Sequence, residues 1–219
     1  MIADTSANSA ISNESRKVLK NTYMLLGMNI FTSALVAYFF MGSALPIPWY
    51  FFLPIYFVLL FAVEKTADSA AGFPMSFVFT GFLGYTLAPI VGMLTGTSEG
   101  TMILVQALTG TAIMFTILSF WTMTRKVTLS DGFKSFLSVG ILSGFILSIL
   151  NAAFFQLSAI SLVISVLFMF FSSAVIVWQI SDIVDGGERS YIRAAMTLYV
   201  QLYNMLLSLL NILGFANSD

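Results

Sequence analysis

The residues best placed to do chemistry in this 219-residue chain are almost all uncharged, and they form two stripes. Ser158, Ser161, Ser165, Ser172, Gln179 and Asp182 follow one another at steps of three, four or seven residues, and so do Thr197, Gln201, Asn204, Ser208 and Asn211. Such steps gather side chains on one face of a helix. Amides and hydroxyls both donate and accept hydrogen bonds without changing charge near neutral pH. They suit either cross-links between helices, worth about 0.6 to 2 kcal/mol per pair in a bilayer, or the wall of a polar cavity or ion path. No carboxylate lies deep in either stripe, whereas ion paths through membranes are usually marked by such charges, so cross-linking is favoured. Asp182 stands at one end, on the face of Gln179, where it would cap the mouth of a cavity and draw cations.

Other chemistry is excluded by what the chain lacks. It has no cysteine and no histidine, which removes thiolate nucleophiles, disulfides, the commonest metal ligand and the commonest general base. Aspartyl proteolysis within a membrane would need two facing aspartates deep in the spans, and none are there. Turn signals occur at Asp131-Gly132 and Gly186-Gly187, but neither has the glycine and lysine spacing of a nucleotide loop. No catalytic residue, metal ligand or cofactor is expected, and the chain reads as a non-enzyme. A net charge of −1 with nine basic residues gives no nucleic-acid surface.

The elements that must position the stripes follow from the solvent. With 58% hydrophobic and 9% charged residues, the chain is too apolar for a water-soluble domain, and its partner is the lipid bilayer. Each charge at the centre of a spanning helix costs about 2.5 to 3.5 kcal/mol, so charges serve as punctuation. Five uncharged windows result, at residues 21–63, 69–98, 100–124, 135–181 and 194–218. A crossing helix takes roughly 20 residues. The first and fourth windows are about twice that and each predicts a hairpin. The first turns at Gly42, Pro46, Pro48, Trp49 and Tyr50, and the second near Asn151 to Ser158. The expected fold is therefore an all-α membrane protein of seven transmembrane helices, in which every lysine and arginine falls on one side. The positive-inside bias then places the N-terminus in the cytoplasm and the C-terminus outside.

Three regions follow: a disordered cytoplasmic tail over 1–20, a transmembrane domain over 21–215 and a short external tail over 216–219. The first tail is rich in Ser, Asn and Ala and ends in the basic cluster Arg16, Lys17 and Lys20. Within the spans, Thr80, Gly84, Ala88 and Gly92, and then Gly140, Gly144 and Ser148, repeat small residues every four positions, a pattern that lets helix backbones approach.

Three strings carry a likeness to a known family: FTGFLGYTLAPI at Phe79 to Ile90, ALTGTAIMFTILSF at Ala107 to Phe120, and DGGERSYIRAAMTLYVQLYNMLLSLLNILGF at Asp185 to Phe215. Together they resemble the Bax inhibitor-1 family, and most closely its bacterial YccA-like branch, over about nine-tenths of the chain. The resemblance implies a bundle with span seven at its centre, in a bacterial cytoplasmic (inner) membrane. It implies one of two activities: modulation of the FtsH membrane protease, as binding partner, inhibitor and slow substrate, or a cation leak passing calcium or protons. In the family a pair of aspartates on spans six and seven makes the leak pH-sensitive. The matching positions here are Gln179 and Gln201, two amides that could bond to each other with no pH dependence. Around them Asp182, Asn204, Ser208 and Asn211 complete the expected polar interior.

Overall fold

The computed structural model describes residues 11–43, 47–125, 127 and 129–217, and its long elements are all helices. They are α1 (Asn13–Phe40), α2 (Trp49–Thr66), α3 (Gly72–Thr95), α4 (Ser98–Thr124), α5 (Asp131–Leu150), α6 (Ser158–Asp185) and α7 (Tyr191–Ala216). Six of the seven, all but α2, are long and apolar enough to cross a membrane. With 18 residues α2 is the shortest, and it rises about 27 Å.

Helix ends fall where side chains can satisfy free backbone groups. Ser12, Thr97, Ser130 and Ser190 cap α1, α4, α5 and α7, each hydroxyl accepting from the backbone N–H three residues on. Because Ser12 starts α1, residues 13–20 are helical, which shortens the tail expected to run to Lys20; residues 1–10 lie outside the described residues. At the other terminus α7 ends at Ala216, and residues 218–219 of the expected external tail are likewise outside. Gly186, at φ +81°, closes α6 in the left-handed conformation glycine adopts freely, and the N–H groups of Gly187 and Glu188 bond back to the carbonyl of Asp182.

Each long uncharged window holds two helices, α1 and α2 in the first and α5 and α6 in the second, and Pro46 of the first expected turn lies outside the described residues. The second reversal is built on Asn151, in a π-helical turn over Asn151–Phe155. Its side-chain amide donates to the carbonyl of Leu157 (3.3 Å) and to the hydroxyl of Ser161 (2.8 Å), while its Oδ1 accepts from the N–H of Leu157 (3.2 Å). Gln156, at φ 50°, is the left-handed residue that lets the chain turn.

Burial is arranged for lipid. Large apolar side chains such as Phe31, Phe39, Phe61, Ile117 and Phe120 stand exposed on the outside, where hydrocarbon is their solvent, while Thr22, Asn29, Ser76, Thr80, Gln179 and Gln201 are buried. The principal neighbours of α7 are α1, α3, α4 and α6; α2 rests mainly on α3, and α5 on α6. The core around α7 is formed by Phe79 and Leu83 of α3, Ile176 and Ile180 of α6, and Leu198 and Met205 of α7 itself. On α3, the small-residue face does what its spacing predicts. A Cβ at Gly84 would run into the backbone carbonyl of Ser33, and one at Gly92 into that of Met41, so α3 presses its backbone directly on α1.

Candidate functional site

The two polar stripes meet at a cavity of about 690 Å³ whose back wall is α6 and α7. From α7 it takes Gln201, Asn204, Ser208 and Asn211, and from α6 Ser158, Ser161 and Ser165, so four of the five residues of the α7 stripe and half of the α6 stripe line one space. Its front wall is mainly apolar: Phe52, Tyr56 and Phe57 of α2 stand on one side, Ile141, Leu142 and Phe145 of α5 on the other, with Ser138 and Ser148 of α5 also in the lining. Phe57 and Phe145 touch edge to face at 5.7 Å between ring centres, bridging the gap between these two outer helices. No lysine, arginine, aspartate or glutamate is among the lining residues.

Within this arrangement the expected amide pair is divided. Gln201 is only 8% exposed and lines the cavity, and it makes no hydrogen bond with another described residue. Gln179 is equally buried but is not part of the cavity wall, and its Nε2 has no partner. Geometry along the antiparallel helices explains the division. Gln179 stands roughly 9 Å from the last residue of α6, and Gln201 roughly 15 Å from the first of α7, so they sit at different depths. Their mutual hydrogen bond is not made.

Asp182 is also elsewhere. It lies beside the α6–α7 turn, its carboxylate against Gly187 so closely that a Cβ there would overlap it, and it is not among the cavity's lining residues. The residues brought together are thus Gln201, Asn204, Ser208 and Asn211; Gln179 and Asp182 belong to the other half of α6.

Two constellations escaped the sequence reading. At the end of the bundle bearing the α2–α3 and α6–α7 turns, Arg193 fans its guanidinium over three carboxylates: Nε donates to Glu64 at 2.6 Å, Nη2 to Asp68 at 2.9 Å and Nη1 to Glu188 at 3.4 Å. Glu188 also accepts from the N–H of Ser190 (2.7 Å), whose hydroxyl donates to the carbonyl of Ala67 (2.9 Å). The planar fork suits this use, since each edge engages a different acid. The four-residue step from Glu64 to Asp68 was the available signal. The second is Asn29, fully buried in α1, whose Oδ1 accepts from Ser76 and Thr80 of α3, both at 3.3 Å. Thr22, Asn29 and Ser33 follow one another at steps of seven and four and so share a helix face, a signal that was passed over. Tyr203 and Thr86 add a third cross-link, between α7 and α3, at 2.9 Å.

Comparison with known proteins places this architecture. Residues 15–218 match the family described as inhibitor of apoptosis-promoting Bax1. The chain is 41% identical over 218 residues to an uncharacterised protein of Pseudomonas aeruginosa, covering 97% of this chain and 96% of that one. It is 39% identical over 207 residues to the modulator of FtsH protease YccA of Escherichia coli, covering 93% and 92%, and 33% identical to a membrane protein of Vibrio cholerae, covering 94% and 92%. With a family match across nearly its whole length, and helices apolar enough for repeated crossing, the chain belongs to the Bax inhibitor-1 family, as a multi-pass protein of the bacterial inner membrane.

Proposed function

We propose that this protein is an integral modulator of an FtsH-type membrane protease: a binding partner, an inhibitor and a slow substrate, with no chemistry of its own. The observation that carries this reading is the likeness to YccA, which extends over 93% of this chain and 92% of that one.

In this reading α2 also crosses, giving seven spans with the N-terminus in the cytoplasm and the C-terminus outside. The nine basic residues then share the cytoplasmic side with the Arg193 cluster. A processive protease needs a chain end to grip, and the Ser- and Asn-rich residues ahead of the Ser12 cap supply one. Slow degradation follows from the bundle's resistance to extraction: the cluster ties α2, the α6–α7 turn and α7 together at the end that would be pulled first.

The test is capture from native membranes, with FtsH turnover of a reporter membrane substrate followed in the same cells. Co-purification and slower reporter decay are expected. Removing residues 2–10, which leaves the Ser12 cap in place, should lengthen this protein's own half-life while capture persists. Failure to capture FtsH at native expression would overturn the proposal. The cation-leak reading is weaker, since no carboxylate lines the cavity and Gln179 and Gln201 cannot titrate. Calcium or proton flux from the purified protein in liposomes would revive it.

A further inference from the structure

The cavity has a composition and shape that assign it a ligand, and this assignment does not depend on the protease reading. Its back wall holds more hydrogen-bonding capacity than the protein uses. Gln201 is more than nine-tenths buried and unpartnered, and the side chains of Asn204, Ser208 and Asn211 likewise make no hydrogen bond with another described residue. Of these, Gln201 and Ser208 are buried, Asn204 is half-buried and Asn211 is exposed; an unpaired buried amide and hydroxyl facing one space cost free energy, which a polar group inside it would offset.

Charge decides what that group is. With no lysine, arginine, aspartate or glutamate in the lining, a phosphate, ammonium or metal ion would be desolvated without a counter-charge, whereas hydroxyls would find both donors and acceptors. The front wall decides the rest. Phe52, Phe57, Leu142 and Phe145 offer only apolar surface, and the space between α2 and α5 gives onto the lipid-facing side of the bundle. A ligand entering there carries a hydrocarbon part.

From Gln201 to Asn211 the cavity follows α7 for roughly 15 Å, long enough for a small head and the start of an acyl chain.

We propose that the cavity binds a single neutral glycerolipid of the monoacylglycerol class. Its glycerol hydroxyls bond to Gln201, Asn204 and Ser208, and its acyl chain leaves between α2 and α5 past the Phe57–Phe145 contact. The volume lies within the range of about 300 to 1,000 Å³ typical of small-molecule sites.

The experiment uses the full chain in nanodiscs of phosphatidylethanolamine and phosphatidylglycerol. Native mass spectrometry with added monooleoylglycerol should show a one-to-one adduct, and oleoyl-lysophosphatidylglycerol should bind at least about tenfold more weakly. A diazirine-bearing monoacylglycerol should label wild-type peptides from α2 around Phe57 and from α5 around Phe145, and spare the lipid-exposed face of α4 at Val105 and Ile117. Gln201→Leu should weaken the adduct about tenfold, and Ser165→Phe should abolish it by filling the space. If either variant unfolds, the wild-type labelling pattern decides alone. Equal affinity for the anionic lipid, labelling spread evenly over α4, or displacement of the label only by a transmembrane peptide would each overturn the proposal.

Discussion

The α1–α3 seam and the α2–α5 opening show two ways of packing helices in lipid, with opposite consequences. Along the seam, Gly84 and Gly92 let α3 lie backbone to backbone on α1, and Asn29 bonds across it to Ser76 and Thr80. Nothing there leaves room for a guest. On the other side, α5 buries completely only Leu137 and Gly144, and it meets α6 by setting Gly140 and Gly144 against the rings of Phe171 and Phe168. Its opposite face and the aromatic-rich α2 meet through Phe57 and Phe145 alone among the described ring contacts. Where water does not drive apolar surfaces together, small residues close a contact and large ones hold helices apart, so glycine placement determines which half is scaffold and which half can host a ligand.

Gly84→Leu should break that comparison most severely. A Cβ at this position already overlaps the carbonyl of Ser33, so α1 and α3 must separate, and the core of Phe79 and Leu83 with them. A loss of about 3 kcal/mol or more is expected in denaturant unfolding from detergent. Gly81→Ala, one turn away on the same helix and with only Val36 near at 3.9 Å, should be neutral or stabilise by up to about 1 kcal/mol. If the two variants behave alike, backbone approach is not what holds the seam.

Asn151→Ala should come next, at about 2 kcal/mol, because one side chain supplies three hydrogen bonds to the reversal between α5 and α6. The effect should be local. Hydrogen exchange should quicken in residues 150–161 and leave the α1–α3 seam protected, a contrast that would show the open half unfolding by itself.

The helices were legible because charge in lipid is expensive and therefore sparse along the chain: the windows between Lys20 and Glu64, and between Lys134 and Asp182, were each too long for one helix, and each holds two. Spacing also grouped Gln201, Asn204, Ser208 and Asn211, which line one cavity, although Asn211 is exposed and only half of the α6 stripe joins them. Depth was not legible. Gln179 and Gln201 are equivalent as residue types, yet only Gln201 reaches the cavity, because their heights on antiparallel helices depend on where the α6–α7 turn begins, and that is fixed by Gly186 and the carbonyl of Asp182. Nor could the stripes show that their shared space is closed in front by α2 and α5, which belong to neither stripe. The Arg193 cluster was hidden for a related reason. Its charges were used to punctuate the chain and orient it, and partners more than a hundred residues apart cannot be matched by spacing.

That cluster gives the smallest expected effect and the sharpest control. Glu64 and Asp68 are well exposed and Arg193 about a third so, which keeps each pair in a high-dielectric setting, while Glu188, 11% exposed, is the best shielded of the three acids. Replacing Arg193 with Met should therefore cost only about 1 kcal/mol, and the wild-type advantage should shrink as ionic strength rises. Arg193→Lys should recover little of it, because an ammonium cannot direct separate N–H groups at Glu64, Asp68 and Glu188 from one plane. Neither change should alter ligand binding in the cavity, which lies beyond Gln201 along α7. If Arg193→Met loosened the α2–α5 opening, read as faster exchange at residues 52–60, the two ends of α2 would be coupled, and the scaffold would extend further into the open half than its packing alone suggests.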